Sequence, residues 1–428
     1  MKEITIKCSD EKILTFNTKS KLPVYMYVNE KKQNTYISLV VKYGSNYTEF
    51  KCNGVNYNVP TGTAHFLEHL KFHLKDNDVN DLFLDLGSDT NAYTSIRETV
   101  YEVFANENIY EATKLLLDFV YDDYFSKKIL ESERGIILEE ANLKKDDITY
   151  EFYKEYLNNF FIKSNSKNIV IGKEKDIKSI SLDDIKLVFD YFYRPENMFM
   201  VITGNFDPEI MKKTICENEK DRKFKDIGKV EVIEKKEVKK LATKRYEYKS
   251  KKCKNLEGRL TIKCLDSDFK NYTKKEALIA LRCIFGANFG RTSDFNEYLM
   301  QTNLATQFSV SVSLDKNAIA INIFFQSDDV DKVEELIKEK LRNMTLTDEE
   351  LNRIKNISKA SFIMQFDNIY GVAYSIISSI IDDDKVSPVD MEILNKITKE
   401  EVLNVYKCVD INNIMMGLLK PIKEKKKQ

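Results

Sequence analysis

The 428-residue chain contains only three histidines, and all of them fall within nine residues, His65-Phe66-Leu67-Glu68-His69-Leu70-Lys71-Phe72-His73. Pro60-Thr61-Gly62 supplies a turn, Thr63 is the candidate N-cap, and Ala64 to Phe72 holds no breaker, so the segment is expected to be a helix. A four-residue step then places His65 and His69 over the same point of one face, where they can ligate one metal ion. Glu68, three residues after His65, lies beside them and suits a general base acting on a water that zinc activates. The alternative is a pair of ordinary histidines on an amphipathic helix, but the inverted H-x-x-E-H pattern has a defined zinc mechanism. His73 continues the ladder yet lies about 12 Å along the axis from His65, too far to share a tetrahedral ion with bonds of about 2.0–2.1 Å. It is read as a helix-end residue.

Zinc with two imidazoles needs a third protein ligand, and with no other His and no suitably placed Cys the donor is expected to be a carboxylate. The helical pattern Ser126 to Lys145 offers one. Ile129, Glu133, Ile136, Ile137, Glu140 and Leu143 recur at spacings of three and four, which sets two glutamates in an apolar, core-facing stripe. A carboxylate buried there without a partner is costly, so something must compensate it. Glu140 is taken as the ligand and Glu133 as its support, while Glu139 is turned by about 100° toward the polar flank. Because both imidazoles must be neutral to bind, zinc occupancy and activity are expected to fall together below about pH 6.

These side chains have to be positioned by a mixed scaffold. Val24–Val28 and Tyr36–Tyr43 are rich in β-branched and aromatic residues and read as a hairpin across Asn29 to Asn34. Thr90–Ile96 and Val100–Phe104 form a second strand pair, followed by an amphipathic helix over Ile109–Val120. The length exceeds the usual single-core limit of about 250–300 residues. The Lys- and Glu-dense stretch 231–250 reads as a charged linker between an N-terminal zinc-binding domain at 1–230 and a C-terminal domain at 251–428.

The halves resemble each other. Ser181-Leu182-Asp183-Asp184 and Thr398-Lys399-Glu400-Glu401 both open a helix with a capped acidic turn, at an offset of 398 minus 181, or 217. Each helix leads to an apolar strand, Asn197–Val201 and Asn413–Gly417. The expected fold class is therefore α+β: two structurally similar domains from an internal duplication, each a mostly antiparallel sheet packed with helices. The second copy contains no His, and the positions matching Glu133 and Glu140 read Ile354 and Ser361 at the helix offset of 221, so that half cannot hold the ion.

Charge and composition exclude other classes. Sixty-seven Lys and Arg against 68 Asp and Glu leave a net charge of -1, with no field to hold nucleic acid. The seven cysteines are scattered without a C-x-x-C pair, which argues against a disulfide framework. No signal core and no run of 18 apolar residues is found, so a cytoplasmic protein without a membrane span is expected. The Lys420–Lys427 tail reads as a solvated end.

Together these residues resemble the pitrilysin/insulinase family of inverted-motif zinc metallopeptidases, in which an H-x-x-E-H helix is joined by a glutamate some seventy residues on; here 140 minus 69 is 71. Gly62 to His69 is similar to the signature helix of that family, Asn91-Ala92-Tyr93-Thr94-Ser95 to its active-site edge strand, and Tyr191 to Met198 also fits. The resemblance covers residues 20 to 210 strongly and is closest to bacterial members of about 400 residues that work as two-subunit assemblies. It implies a zinc endopeptidase acting on extended peptides or processing and leader segments, with His65, His69 and Glu140 on the metal, Glu68 as base and Glu133 as ligand support. It further implies that Asn91, Ala92, Tyr93 and Thr94 pair with substrate backbone, and that the chain forms a homodimer or a heterodimer with a paralogous subunit. Relatives also use an Arg and a Tyr from the second half to hold the substrate carbonyl, but the aligned positions here read Met300 and Thr306. That departure leaves Arg291 as the candidate oxyanion or substrate contact, and a weakly active or non-catalytic peptide-binding subunit as the alternative function.

Overall fold

Apolar β-branched runs become strands and capped amphipathic segments become helices in a computed structural model that describes residues 1–6, 9, 11–386 and 389–422. Lys7, Cys8, Asp10, Ser387, Pro388 and the end of the lysine-rich tail, 423–428, lie outside the described residues. The first half carries β1 (Lys2–Ile6), β2 (Glu11–Asn17), β3 (Pro23–Val28), β4 (Thr35–Val41), β5 (Glu49–Cys52), β6 (Val55–Asn58), β7 (Ser88–Thr94), β8 (Thr99–Ala105), β9 (Met198–Gly204) and β10 (Val230–Val232). Its helices are α1 (Thr63–Lys71), α2 (Val79–Asp85), α3 (Ile109–Tyr121), α4 (Lys127–Asp146), α5 (Ile148–Phe160), α6 (Glu174–Ser179), α7 (Leu182–Phe192) and α8 (Pro208–Glu219). The second half adds strands β11 (Arg245–Ser250), β12 (Glu257–Leu265), β13 (Gln307–Asp315), β14 (Ala318–Gln326) and β15 (Ile414–Pro421). Its helices are α9 (Lys274–Phe289), α10 (Asp294–Gln301), α11 (Val330–Arg342), α12 (Asp348–Met364), α13 (Ile369–Asp383), α14 (Val389–Lys396) and α15 (Lys399–Lys407).

The first sheet runs β1-β2-β3-β9-β4-β8-β7. The hairpin expected from Val24–Val28 and Tyr36–Tyr43 does not form, because β9 lies between β3 and β4, parallel to the first and antiparallel to the second. Both β4 and β9 are buried along their whole length, and such strands belong in the middle of a sheet covered on both faces. The second strand pair does form as expected: β7 and β8 are antiparallel neighbours, and β7 is the last strand of the sheet.

The second sheet runs β11-β15-β12-β14-β13 and repeats β3-β9-β4-β8-β7 strand for strand, including the one parallel pair. Ser181 with Asp184 and Thr398 with Glu401 form the two matching capping boxes. The fold is thus α+β with two similar domains.

Chain continuity is a poor guide to which residues pack together. One compact unit comprises 1–143, 168–234 and 362–388, and the other 144–167, 235–361 and 389–428. Relative to domains at 1–230 and 251–428, the first half gives up α5 and the second gives up α13. The stretch 231–250 is not a solvated linker throughout: β11 belongs to the second sheet, and Glu237 is buried. In the first unit, Val372, Ala373, Ile376, Ile377 and Ile380 of α13 cover Tyr36, Val40, Phe199 and Val201. Each large apolar side chain buried this way contributes about 1.5–3 kcal/mol, which is why an apolar stripe decides where a helix docks.

Candidate metal centre

The helix that carries the histidines begins one residue earlier than expected. Its N-cap is Gly62, at φ 90°, and the hydroxyl of Thr63 donates to Pro60 O at 2.8 Å instead of capping. A Cβ at Gly62 would stand 2.5 Å from Ile171 O, so close backbone packing as well as the left-handed turn requires glycine. Phe66, Leu67 and Leu70 anchor α1 in the core, and His65 and His69 remain partly exposed on another side.

On α4 the stripe is rotated from its expected position. Ile136 is 49% and Leu143 72% exposed, and the residues buried are Leu130, Glu133, Ile137 and Ala141. Helical side chains lean toward the N-terminus, so the covered line is offset from the one counted by spacing alone. Glu133 is 5% exposed, Glu140 is half-buried and Glu139 is exposed. Arg134 fixes the helix by donating to Ile180 O at 2.8 Å and to Ile177 O, with its guanidinium over the Phe66 ring.

Two helices distant in sequence therefore converge. His65 Nε2 lies 3.6 Å and His69 Nε2 3.8 Å from Glu140 Oε2, and one donor atom from each residue falls within 4.8 Å of the others. Tetrahedral zinc with bonds of about 2.0–2.1 Å needs donors roughly 3.3 Å apart. The donor set, two imidazoles and a carboxylate, fits that ion in kind and needs only a small closure.

Glu133 contacts one member of this set, His69. Its carboxylate meets His69 Nδ1 at 3.1 Å and His73 Nε2 at 2.8 Å. An Nδ1–H bonded to the carboxylate leaves His69 Nε2 free to face Glu140. His73, read from the sequence as a mere helix-end residue, is the second partner of that carboxylate; its place on the i, i+4 ladder was the available signal.

The electrostatics follow from burial and partners. Burial raises the Glu68 carboxyl, the Thr94 hydrogen bond and the His69 charge oppose this, and the net shift is upward. Burial also works to raise Glu133, but hydrogen bonds from His69 and His73 overcome it and hold the carboxyl down at about 2. For His69 burial acts downward, and the Glu133 hydrogen bond with the nearby Glu68, Glu133 and Glu140 charges raises it overall. His73 is raised first by its hydrogen bond to Glu133.

The strand expected to pair with substrate is at the sheet edge. Asn91, Ala92, Tyr93 and Thr94 end β7, and on the side away from β8 no strand joins them among the described residues. Thr94 Oγ1 donates to Glu68 Oε2 at 2.5 Å, a link between edge strand and α1 that spacing did not reveal. Arg291 belongs to the second unit, exposed in the turn before α10; Met300 ends on α10 and Thr306 precedes β13.

Most of the chain is similar to known proteins. A family model described as "Insulinase (Peptidase family M16)" matches residues 24–172, and one described as "Peptidase M16 inactive domain" matches 179–358. The chain is 31% identical over 285 residues to the zinc protease YmfH of Bacillus subtilis, an alignment spanning 65% of this chain and 66% of YmfH. It is 29% identical over 193 residues to the mitochondrial-processing peptidase subunit beta of Rattus norvegicus, spanning 43% of this chain and 35% of that one. In both cases the match covers less than two thirds of the relative. An M16-like peptidase structure from Alicyclobacillus acidocaldarius superposes with a TM-score of 0.88 at 23% identity, covering 96% of this chain and 98% of the other.

Proposed function

The chain belongs to the insulinase family, peptidase family M16, and on that premise we propose that it is a zinc-dependent endopeptidase acting on extended peptides or on processing and leader segments. The observation that carries this reading is the convergence of His65, His69 and Glu140 beside a buried Glu68 that is tied through Thr94 to an open sheet edge. Zinc held by the three side chains would supply a Lewis acid and bring the pKa of a water to about 7. Glu68, its pKa raised by burial, takes the proton of the attacking water and returns it to the leaving amine. Glu133 holds His69 in the tautomer that leaves Nε2 for the metal. Asn91, Ala92, Tyr93 and Thr94 offer backbone groups to an extended substrate as an added strand. Arg291 is the candidate for a contact to the substrate carbonyl, on its sequence context alone.

A relative that is named as a subunit, the mitochondrial-processing peptidase subunit beta, and PqqL of Escherichia coli, of whose structure this chain covers 48%, support assembly as a homodimer or with a paralogous subunit. Free thiols at the six described cysteines support a reducing compartment such as the cytoplasm. No helix among the described residues is long and apolar enough to cross a membrane. Met300 and Thr306, at the positions where the family resemblance implies an Arg and a Tyr, favour a second reading, a peptide-binding subunit with little turnover of its own.

Glu68→Gln separates the readings. It is expected to keep zinc and lower peptide cleavage by about 10²–10⁴-fold, whereas His65→Ala loses both zinc and cleavage. Equal cleavage by wild type and Glu68→Gln removes Glu68 as base. A zinc-loaded wild type that cleaves only with a copurifying partner supports the subunit reading.

A further inference from the structure

Side chains along β7 alternate between two faces of the first sheet. Thr94 reaches Glu68, and Ala92 packs in the core shared with α1; Tyr93 points the other way, into the cluster built around α13. A strand added to the β7 edge would lie about 4.7–4.9 Å away and alternate in the same manner. The substrate residue across from Tyr93 therefore places its side chain on the α13 face.

What stands on that face is Tyr374 of α13, whose ring centroid is 6.2 Å from that of Tyr93 at an interplanar angle of 37°. Its hydroxyl donates to Glu102 Oε1 at 2.9 Å, an oxygen that Tyr36 shares at the same distance. Glu102 in turn lies directly across the ladder from Asn91. The helix is pinned to the same hairpin by Arg97, in the β7–β8 turn, which pairs with Asp382 at 2.6 Å. A lone exposed aromatic residue needs no explanation. Tyr374 differs because its hydroxyl and helix are fixed beside an open strand edge while the residue stays 44% exposed.

We infer that Tyr93 and Tyr374 form a side-chain subsite beside the β7 edge, which takes an aromatic or large apolar residue of an extended peptide. The inference rests on the edge-strand part of the proposed function and adds to it a substrate class and a residue from the C-terminal half of the sequence. A ring clamped by its hydroxyl loses little freedom when a ligand packs on it, so the contact gains from preorganisation. A cross-strand aromatic contact of this kind is expected to give selectivity of about three- to tenfold at one substrate position.

The test is binding of a position-scanned set of extended peptides to the zinc-loaded Glu68→Gln protein, run beside cleavage of the same set by the otherwise native protein. Expected is a preference for Phe, Tyr, Trp or Leu at one position, lost by about three- to tenfold in Tyr374→Ala and only partly reduced in Tyr374→Phe, which keeps the ring but frees it from Glu102, with other positions unchanged. The Phe variant separates the ring from the hydroxyl bond to Glu102, and native circular dichroism of both variants confirms folding. Preference unchanged in Tyr374→Ala, or no positional preference in binding, overturns the subsite whether or not peptides are cleaved. Selective binding without any cleavage leaves the subsite standing and sinks the catalytic reading instead.

Discussion

Glu133 in the first unit and Glu237 in the second are buried to nearly the same degree, and they differ in what partners them. In the second unit Glu237 accepts from the backbone N–H groups of Ile162, Lys163, Ser164 and Val238, and pairs at 3.1 Å with Lys263; both side chains are 0% exposed. In the first unit Glu133 is satisfied by two imidazoles, one of which faces Glu140 across the candidate metal position. Backbone donors do not titrate, and Lys263 is held by the Glu237 carboxylate and the Phe160 and Lys240 carbonyls, so Glu237 reads as a fixed strut that ties 162–164 to the second sheet. Imidazoles exchange protons near neutrality, so Glu133 sits in a circuit that metal and pH can both alter. The same residue type, equally hidden, is a strut in one unit and, under the proposed function, a metal-ligand support in the other because of what donates to it.

Removing the strut is the largest perturbation that this comparison forecasts. Glu237→Ala leaves Lys263 buried against only the Phe160 and Lys240 carbonyls and strips four backbone donors of their acceptor. Breaking a buried pair from one side costs about 3–5 kcal/mol, to be read as a fall in the urea midpoint followed by circular dichroism. Zinc content of the folded fraction should be unchanged. A stability loss below about 1 kcal/mol would show that Glu237 is not the strut described.

The opposite signature is expected of Glu133→Gln. It keeps the shape and much of the burial, but weakens the acceptor that orients His69, and loss of such a supporting partner lowers metal affinity by about 10–100-fold. Zinc titration with a competing chelator measures this. Comparable affinity in the variant would move Glu133 from the metal's support to the ranks of ordinary buried acids.

The side chains of the candidate site were legible because helical spacing is local geometry: His65, Glu68 and His69 need only a regular turn to come together. Glu140 was legible for a weaker reason, since the stripe that selected it is offset from the buried line, and Ile136 and Leu143 face solvent. The repeated caps at Ser181 and Thr398 revealed the duplication because a capping box is written in four consecutive residues. Long-range choices were not legible. Nothing in Val24–Val28 or Tyr36–Val41 says that β9, more than 150 residues on, will separate them. Likewise α13 is an apolar helix by its spacing, but which sheet it covers depends on surfaces that exist only after folding. The Thr94–Glu68 bond and the Tyr374–Glu102 bond are missed for the same reason.

The smallest effect, and the one that tests the circuit most finely, is in the pH dependence. In the metal-free protein Glu133 raises both His69 and His73. Stability from those pairings is fully present below the unfolded imidazole value of about 6.5 and is lost as pH rises through the raised folded values. The Glu133 contribution runs the other way: present above the unfolded carboxyl value of about 4.3, it is lost only as pH falls toward about 2. Zinc requires His69 neutral, so metal stabilises the protein over the range where the metal-free pairing weakens. Raising the pH from 6 to 8 should therefore lower the thermal midpoint of the metal-free protein and raise that of the zinc-loaded one. Because His69 is raised, zinc loss should begin above the ordinary imidazole value, at higher pH than the onset near 6 expected from unperturbed histidines. Glu133→Gln should shift that onset downward even though it binds zinc less tightly at pH 8. An onset that does not move assigns the raised imidazole to the remaining carboxylates, Glu68 and Glu140, and returns Glu133 to the structural class that Glu237 represents.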